Sequence, residues 1–149
     1  MKKTPLNKKS KNKISTLKRK AWDLFSIYIR LRDCLRTTGS KFFGECITCD
    51  ETLPFTELDA GHFIQGRHNA NLFSERGVHA QCRSCNRFKG GKQLEYRRQI
   101  VKLYGWEADV ELENEAAQIK KFTVEELEEL IKSLKEKIKL LEVGNETYS

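Results

Sequence analysis

No run of about 18 apolar residues occurs in the 149-residue chain, which excludes a helix that crosses a bilayer. The opening MKKTPLNKKSKNK lacks the apolar stretch of a secretory signal, so the expectation is an intracellular, cytoplasmic protein without a membrane partner. Acids are nearly missing from residues 1–36, where twelve Lys and Arg face two of them; residues 107–143 reverse the balance with eleven acids against six bases. A basic end of this kind suits a polyanion, nucleic acid being the usual one, or a solvated tail, and charge alone does not choose. With 38% hydrophobic and 33% charged residues, the chain has enough apolar material for one modest domain and no second large core. No internal repeat is visible.

What is present begins with residues 1–13, almost free of apolar side chains and read as a disordered basic arm. Over 14–37, Leu17, Ala21, Leu24, Tyr28, Leu31 and Leu35 recur at helical spacing, with Trp22, Phe25 and Ile29 widening the stripe. Gly39 and Gly44 break that helix. Residues 45–105 hold short irregular pieces and then a helix from about Gly91 to Tyr104, with Leu94, Ile100, Val101 and Tyr104 inward and Arg97, Arg98 and Lys102 outward. In the helical region 106–143, Thr123 and Glu126 form a capping box ahead of a final helix. There Leu127, Ile131, Leu134, Ile138 and Leu141 lie at heptad spacing, a seam for the first helix or for a second subunit in a homodimer. Residues 144–149 read as a tail. The fold class expected is α+β and predominantly helical: a small metal-stabilised core flanked by long N- and C-terminal helices.

Five cysteines in a reducing compartment argue for metal or chemistry rather than a disulfide framework. Cys46 and Cys49 bracket two residues, Cys82 and Cys85 bracket two more, and 32 residues separate the pairs. Four such thiolates suit tetrahedral zinc, and a closed four-cysteine site leaves no open position for substrate, so this Zn2+ is expected to be structural. A redox CxxC needs one pair and does not explain two. Cys34 stands alone.

Between the pairs, LDAGHFIQGRHNANLFSERGVHAQ holds all three histidines, His62, His68 and His79. Together with the CxxCN of residues 82–86, this pattern resembles the HNH endonucleases, whose ββα-metal motif places a histidine on a first strand and a last Asn or His on a short helix. AGHFIQGR, LFSERGVHAQC and CNRFKGG followed by EYR resemble the phage NinG recombination family, and the similarity extends over roughly residues 14–142. The resemblance implies a zinc-bound HNH core with His62 as general base and Asn86 as ligand to a catalytic Mg2+ or Mn2+. It also implies DNA as partner, branched DNA such as Holliday junctions above all, and the host cell cytoplasm as location if the protein is phage-encoded.

A neutral imidazole accepts a proton near pH 7, and a neutral amide oxygen suits a hard ion that keeps its waters. Many HNH members carry an acid immediately before the base, where this chain has Gly61. Two candidates remain for the missing ligand: His79, ranked slightly first, and Asp59, two residues before Gly61 on the same strand face. Gly77 occupies the position of the middle Asn in the NinG pattern, so Asn69, Asn71 or a backbone carbonyl is left to orient His62. Arg67, Arg76, Arg83, Arg87, Lys89, Lys92, Arg97 and Arg98 crowd the motif and suit phosphate contacts that position a duplex without reading its sequence. Two alternatives stay open: an HNH enzyme nicking ordinary duplex, and a zinc-knuckle DNA-binding protein without catalysis.

Overall fold

The computed structural model describes residues 7–66 and 68–146, apart from the side chains of 145 and 146. More than half of them are helical. The first helix, α1 (Lys8–Thr38), begins well before residue 14 because Asn7 caps it, its side-chain oxygen accepting from the Ser10 N–H at 2.8 Å. Lysines are good helix formers, and extending an anchored helix avoids the cost of nucleation. Residues 8–13 are therefore helix, a correction to the disordered arm, whose first six residues lie outside the described ones. Gly39, at φ 77° in the left-handed region, ends α1 by donating its N–H to the Leu35 carbonyl.

Two antiparallel strand pairs follow. β1 (Phe43–Glu45) and β2 (Thr52–Pro54) enclose the loop that carries Cys46 and Cys49. β3 (Leu58–His62) pairs with β4 (Val78–Cys82) in the register Leu58↔Cys82 to His62↔Val78. Next come a single π-helical turn (Ser84–Phe88), α2 (Gln93–Tyr104), α3 (Ala108–Ala116) and α4 (Val124–Glu146), which takes in the first three residues of the expected tail. The capping box forms as expected: the Thr123 hydroxyl accepts from the Glu126 N–H at 3.1 Å and the Glu126 carboxylate from the Thr123 N–H at 3.2 Å.

The β3–β4 pair is sandwiched. On one face Ala60 and Val78 pack with Phe25 and Ile29 of α1 and Leu134 of α4. On the other, Phe63 and Ile47 join Tyr96 and Ile100 of α2 and Ala108 and Leu112 of α3. Tyr96, not Leu94, faces inward on α2: Tyr96 is fully buried and donates to the Gly61 carbonyl at 2.6 Å, whereas Leu94 is exposed.

Helix α4 runs alongside α1 in the same direction, since Lys13 meets Glu128, Ala21 packs with Leu127 and Ile131, and Lys137 lies over Tyr28. Leu127, Ile131 and Leu134 are buried within the chain, so the seam is already occupied by α1. The outer edge of β4 is closed too. Asp33, 1% exposed, accepts from the Ala80 N–H at 2.8 Å, while Arg32 donates to the Val78 and Glu75 carbonyls. That buried carboxylate is paired with Arg32 at 2.9 Å, which is what makes its burial tolerable. Cys34 is a packing residue, buried against Leu58 and Ala80; burial pushes its thiol up to about 11. Gly44 faces it, where a Cβ would stand 2.7 Å from the sulfur.

Candidate functional site

The four paired cysteines come together although they arise from three separate elements. Cys46 and Cys49 leave the β1–β2 loop, Cys82 ends β4, and Cys85 lies on the π-helical turn. Their sulfurs all lie within 4.8 Å of one another, with Cys49 Sγ and Cys82 Sγ 3.8 Å apart. Thiolates bound tetrahedrally at about 2.3 Å stand about 3.8 Å apart, so this set can hold a metal such as zinc. Cys46, Cys82 and Cys85 are buried and Cys49 is exposed.

A second group lies beside β3, the strand whose sole partner among the described residues is β4. Asp59 accepts from Asn86 Nδ2 at 3.0 Å and from Arg87 Nε and Nη2, each at 2.8 Å. Arg83 Nε is 4.0 Å away. Burial works to raise the Asp59 pKa, but the Arg87 and Asn86 hydrogen bonds outweigh it and hold the carboxyl below its ordinary value. Trp22, Ser26 and Arg30 of α1 close the same polar hollow from above.

His62 occupies the neighbouring hollow, where it is lined by Lys18, Arg19 and His68, and Trp22 lines both. The Trp22 indole stacks on the imidazole at 5.2 Å and 14°. His62 Nε2 is 3.1 Å from the Leu72 carbonyl oxygen. A carbonyl can only accept, so Nε2 carries the proton and Nδ1 is left as the basic nitrogen. Burial lowers the pKa of this ring, keeping it neutral near pH 7.

His79 goes elsewhere. It is 0% exposed, its Nε2 is 2.7 Å from the Tyr104 hydroxyl, its Nδ1 has no partner among the described residues, and burial lowers its pKa to about 4. It is not among the residues lining the hollow that holds Asn86. The ranking of the two candidates is thereby corrected: Asp59 stands beside Asn86, and His79 is an interior residue against α2.

The family described as Bacteriophage Lambda NinG protein matches residues 2–145. This chain belongs to the NinG family. It is 34% identical over 95 residues to Protein ninG of Escherichia phage lambda, covering 63% of this chain and 46% of that one. The match to Protein ninG of Escherichia phage 933W is 35% identical with the same coverage, and that to Protein ninG of Salmonella phage P22 is 33%. The chain thus spans about half the length of the curated relatives it matches. No solved structure matches it.

Gly61 and Gly77 both lie close against neighbouring side chains. At Gly61 a Cβ would run into the amide oxygen of Gln81 and stand 3.0 Å from Asn86 Oδ1; Gln81 is fixed there by its bonds to Thr48 Oγ1 and the Gly91 carbonyl. At Gly77 a Cβ would lie 2.9 Å from Ser74 Oγ, which accepts from the Gly77 N–H. The Leu72 carbonyl, not Asn69 or Asn71, bonds His62. Asn71 instead ties the loop by donating to the Ile64 carbonyl at 3.1 Å, and Asn69 donates to the Lys120 carbonyl.

Of the cations expected to meet phosphate in this NinG chain, Arg83, Arg87, Lys89 and Arg98 are exposed and Lys92 is half-buried at φ 53°. Arg67 lies outside the described residues. Arg97 corrects the expectation of a free outward cation: it bonds Asp109 at 2.7 Å and Glu113 at 2.6 Å and lies over the Phe63 ring, because acidic α3 packs against its helix. Sequence reading missed Arg30 as a site residue and treated Trp22 as packing alone. Trp22, Ser26 and Arg30 recur every four residues, a line beside the apolar stripe that could have shown them.

Among the described residues, no helix is long and apolar enough to cross a membrane.

Proposed function

We propose that this NinG-family chain is a metal-dependent DNA endonuclease of the HNH type, acting in phage recombination on branched DNA such as Holliday junctions. In this reading β3, β4 and the turn that carries Asn86 form the ββα-metal core, and Zn2+ at the four cysteines fixes it. The observation that carries the reading is His62, a neutral imidazole whose Nε2 is held by the Leu72 carbonyl and whose Nδ1 has no hydrogen-bond partner among the described residues. Such a nitrogen can take a proton from a water attacking a phosphodiester.

Asp59 would offer hard oxygen donors to Mg2+ or Mn2+, and Asn86, whose Nδ2 now donates to Asp59 Oδ2, would turn its amide oxygen to the same ion. When bound, that ion supplies neutralising charge to the phosphate oxygens during hydrolysis. Trp22, stacked on His62, fixes the plane of the ring. Lys18 and Arg19 on one side and Arg30, Arg83 and Arg87 on the other place backbone phosphates across the two hollows. Two symmetric cuts in a junction would use a homodimer, and the surface joining the copies would lie away from the α4 seam that α1 covers. The site of action would be the host cytoplasm.

The test is scission of a labelled four-way junction and of its linear arms in Mg2+, Mn2+ or chelator. Ion-dependent cutting confined to the junction is expected. Equal cutting of the arms would move the assignment to a nicking enzyme on ordinary duplex. A reading without catalysis is favoured by one observation, the Arg87 guanidinium seated on Asp59, and predicts junction binding with no scission in either ion.

A further inference from the structure

We infer that Arg87 is an exchangeable latch on the ion site: it holds Asp59 in the free protein, and a DNA phosphate draws it off, so that the divalent ion loads together with its substrate. The inference rests on the endonuclease reading and deepens it.

Both oxygens of the Asp59 carboxylate are engaged. Oδ1 accepts from Arg87 Nη2, and Oδ2 accepts from Arg87 Nε and Asn86 Nδ2. The seat a divalent ion would take at this carboxylate is therefore held by a protein cation, and the two cations repel at such range. Asp59 is largely enclosed, its side chain 13% exposed, while Arg87 approaches from solvent at 55%. Arg87 lies on the turn Ser84–Phe88, followed by Gly90 and Gly91 at φ 60° and 77°, where backbone freedom is greatest. A phosphate offers a guanidinium the same bidentate geometry as a carboxylate, so the exchange costs Arg87 little.

Arg83 supplies the internal comparison. It carries the same charge near Asp59, but its Nη2 donates to the Thr56 carbonyl at 2.8 Å and its Nε stays 4.0 Å from the carboxylate. Its charge acts on Asp59 without occupying it.

Mn2+ binding, followed by the electron paramagnetic resonance signal of the free ion, tests the latch in zinc-loaded His62→Ala protein, which leaves DNA uncut under this reading. Arg87→Gln, Arg83→Gln and Asp59→Asn are introduced into that background, and each is measured with and without a four-way junction, after subtracting ion bound by DNA alone. With Arg87 present, the junction is expected to tighten Mn2+ by about tenfold, within the ordinary range of coupling between sites. Arg87→Gln should bind about tenfold tighter without DNA and gain little from it. Arg83→Gln should show less than half of that change, and Asp59→Asn should lose the site.

Unchanged Mn2+ affinity in Arg87→Gln, with Asp59→Asn silent, overturns the latch alone. A gain in Arg83→Gln equal to that in Arg87→Gln also overturns it, by tracing the effect to general charge. Native-like Mn2+ binding in Asp59→Asn would remove both the ion site of the endonuclease reading and the latch upon it.

Discussion

Two polar clusters flank the same strand pair, and they are satisfied in opposite ways. The four sulfurs at the end of β4 converge within 4.8 Å of one another, a set that can hold a metal such as zinc. The carboxylate and amide beside β3 are already satisfied by protein, since Arg87 and Asn86 fill both oxygens of Asp59. In the proposed reading one cluster belongs to the fold, and the other changes partners without unmaking it.

Breaking the first cluster should give the largest effect. Cys46→Ser is expected to release the metal and unfold residues 45–92, since structural zinc contributes about 10–16 kcal/mol of apparent folding free energy in small domains. Metal content and circular dichroism check it; a metal-free variant that melts like the native chain would erase the distinction between the clusters.

A smaller effect belongs to His79, which links the strand pair to α2. Its folded pKa of about 4 lies below the value of about 6.5 expected when unfolded, so the unfolded chain binds the extra proton between those values. Stability is therefore intact above about pH 7 and falls as pH drops through 6.5, by on the order of 3 kcal/mol at pH 4. Urea midpoints at pH 7.5 and pH 5 should show the fall, and His79→Gln should flatten it.

The smallest effect sharpens the comparison from the other side. Asp59→Asn severs an ion pair whose arginine is exposed, so its cost to folding should be small. A denaturation loss as large as that of Cys46→Ser would make both clusters structural.

The same contrast governs what the sequence made legible. Two CxxC pairs advertise a metal by spacing alone, and Thr123 with Glu126 announces the start of α4. Asp59 beside Asn86 is a different kind of fact. The two are far apart in sequence, and their meeting, beside a Gly61 that leaves room for Gln81 and Asn86, is something no local pattern encodes. His79 is a candidate by its position, two residues past Gly77, but Tyr104 and burial claim it. The heptad stripe of α4 was visible while its partner was not, since α1 and a second chain offer apolar surfaces of the same kind. Leu94 was placed inward and Tyr96 passed over because helical periodicity cannot tell which of two neighbouring apolar positions a strand pair will meet. Asp33, buried on β4, hides in an apolar stripe because its partner, the Ala80 N–H, is supplied by backbone.

In the proposed reading, His62 Nδ1 performs the chemistry beside an ion held by Asp59 and Asn86. Single-turnover cleavage of a four-way junction by zinc-loaded His62→Ala, measured against the native chain in Mn2+, tests it most directly. A rate lower by about 10²–10⁴ is expected, with zinc content and junction affinity unchanged; cutting at the native rate would rule out His62 as the base.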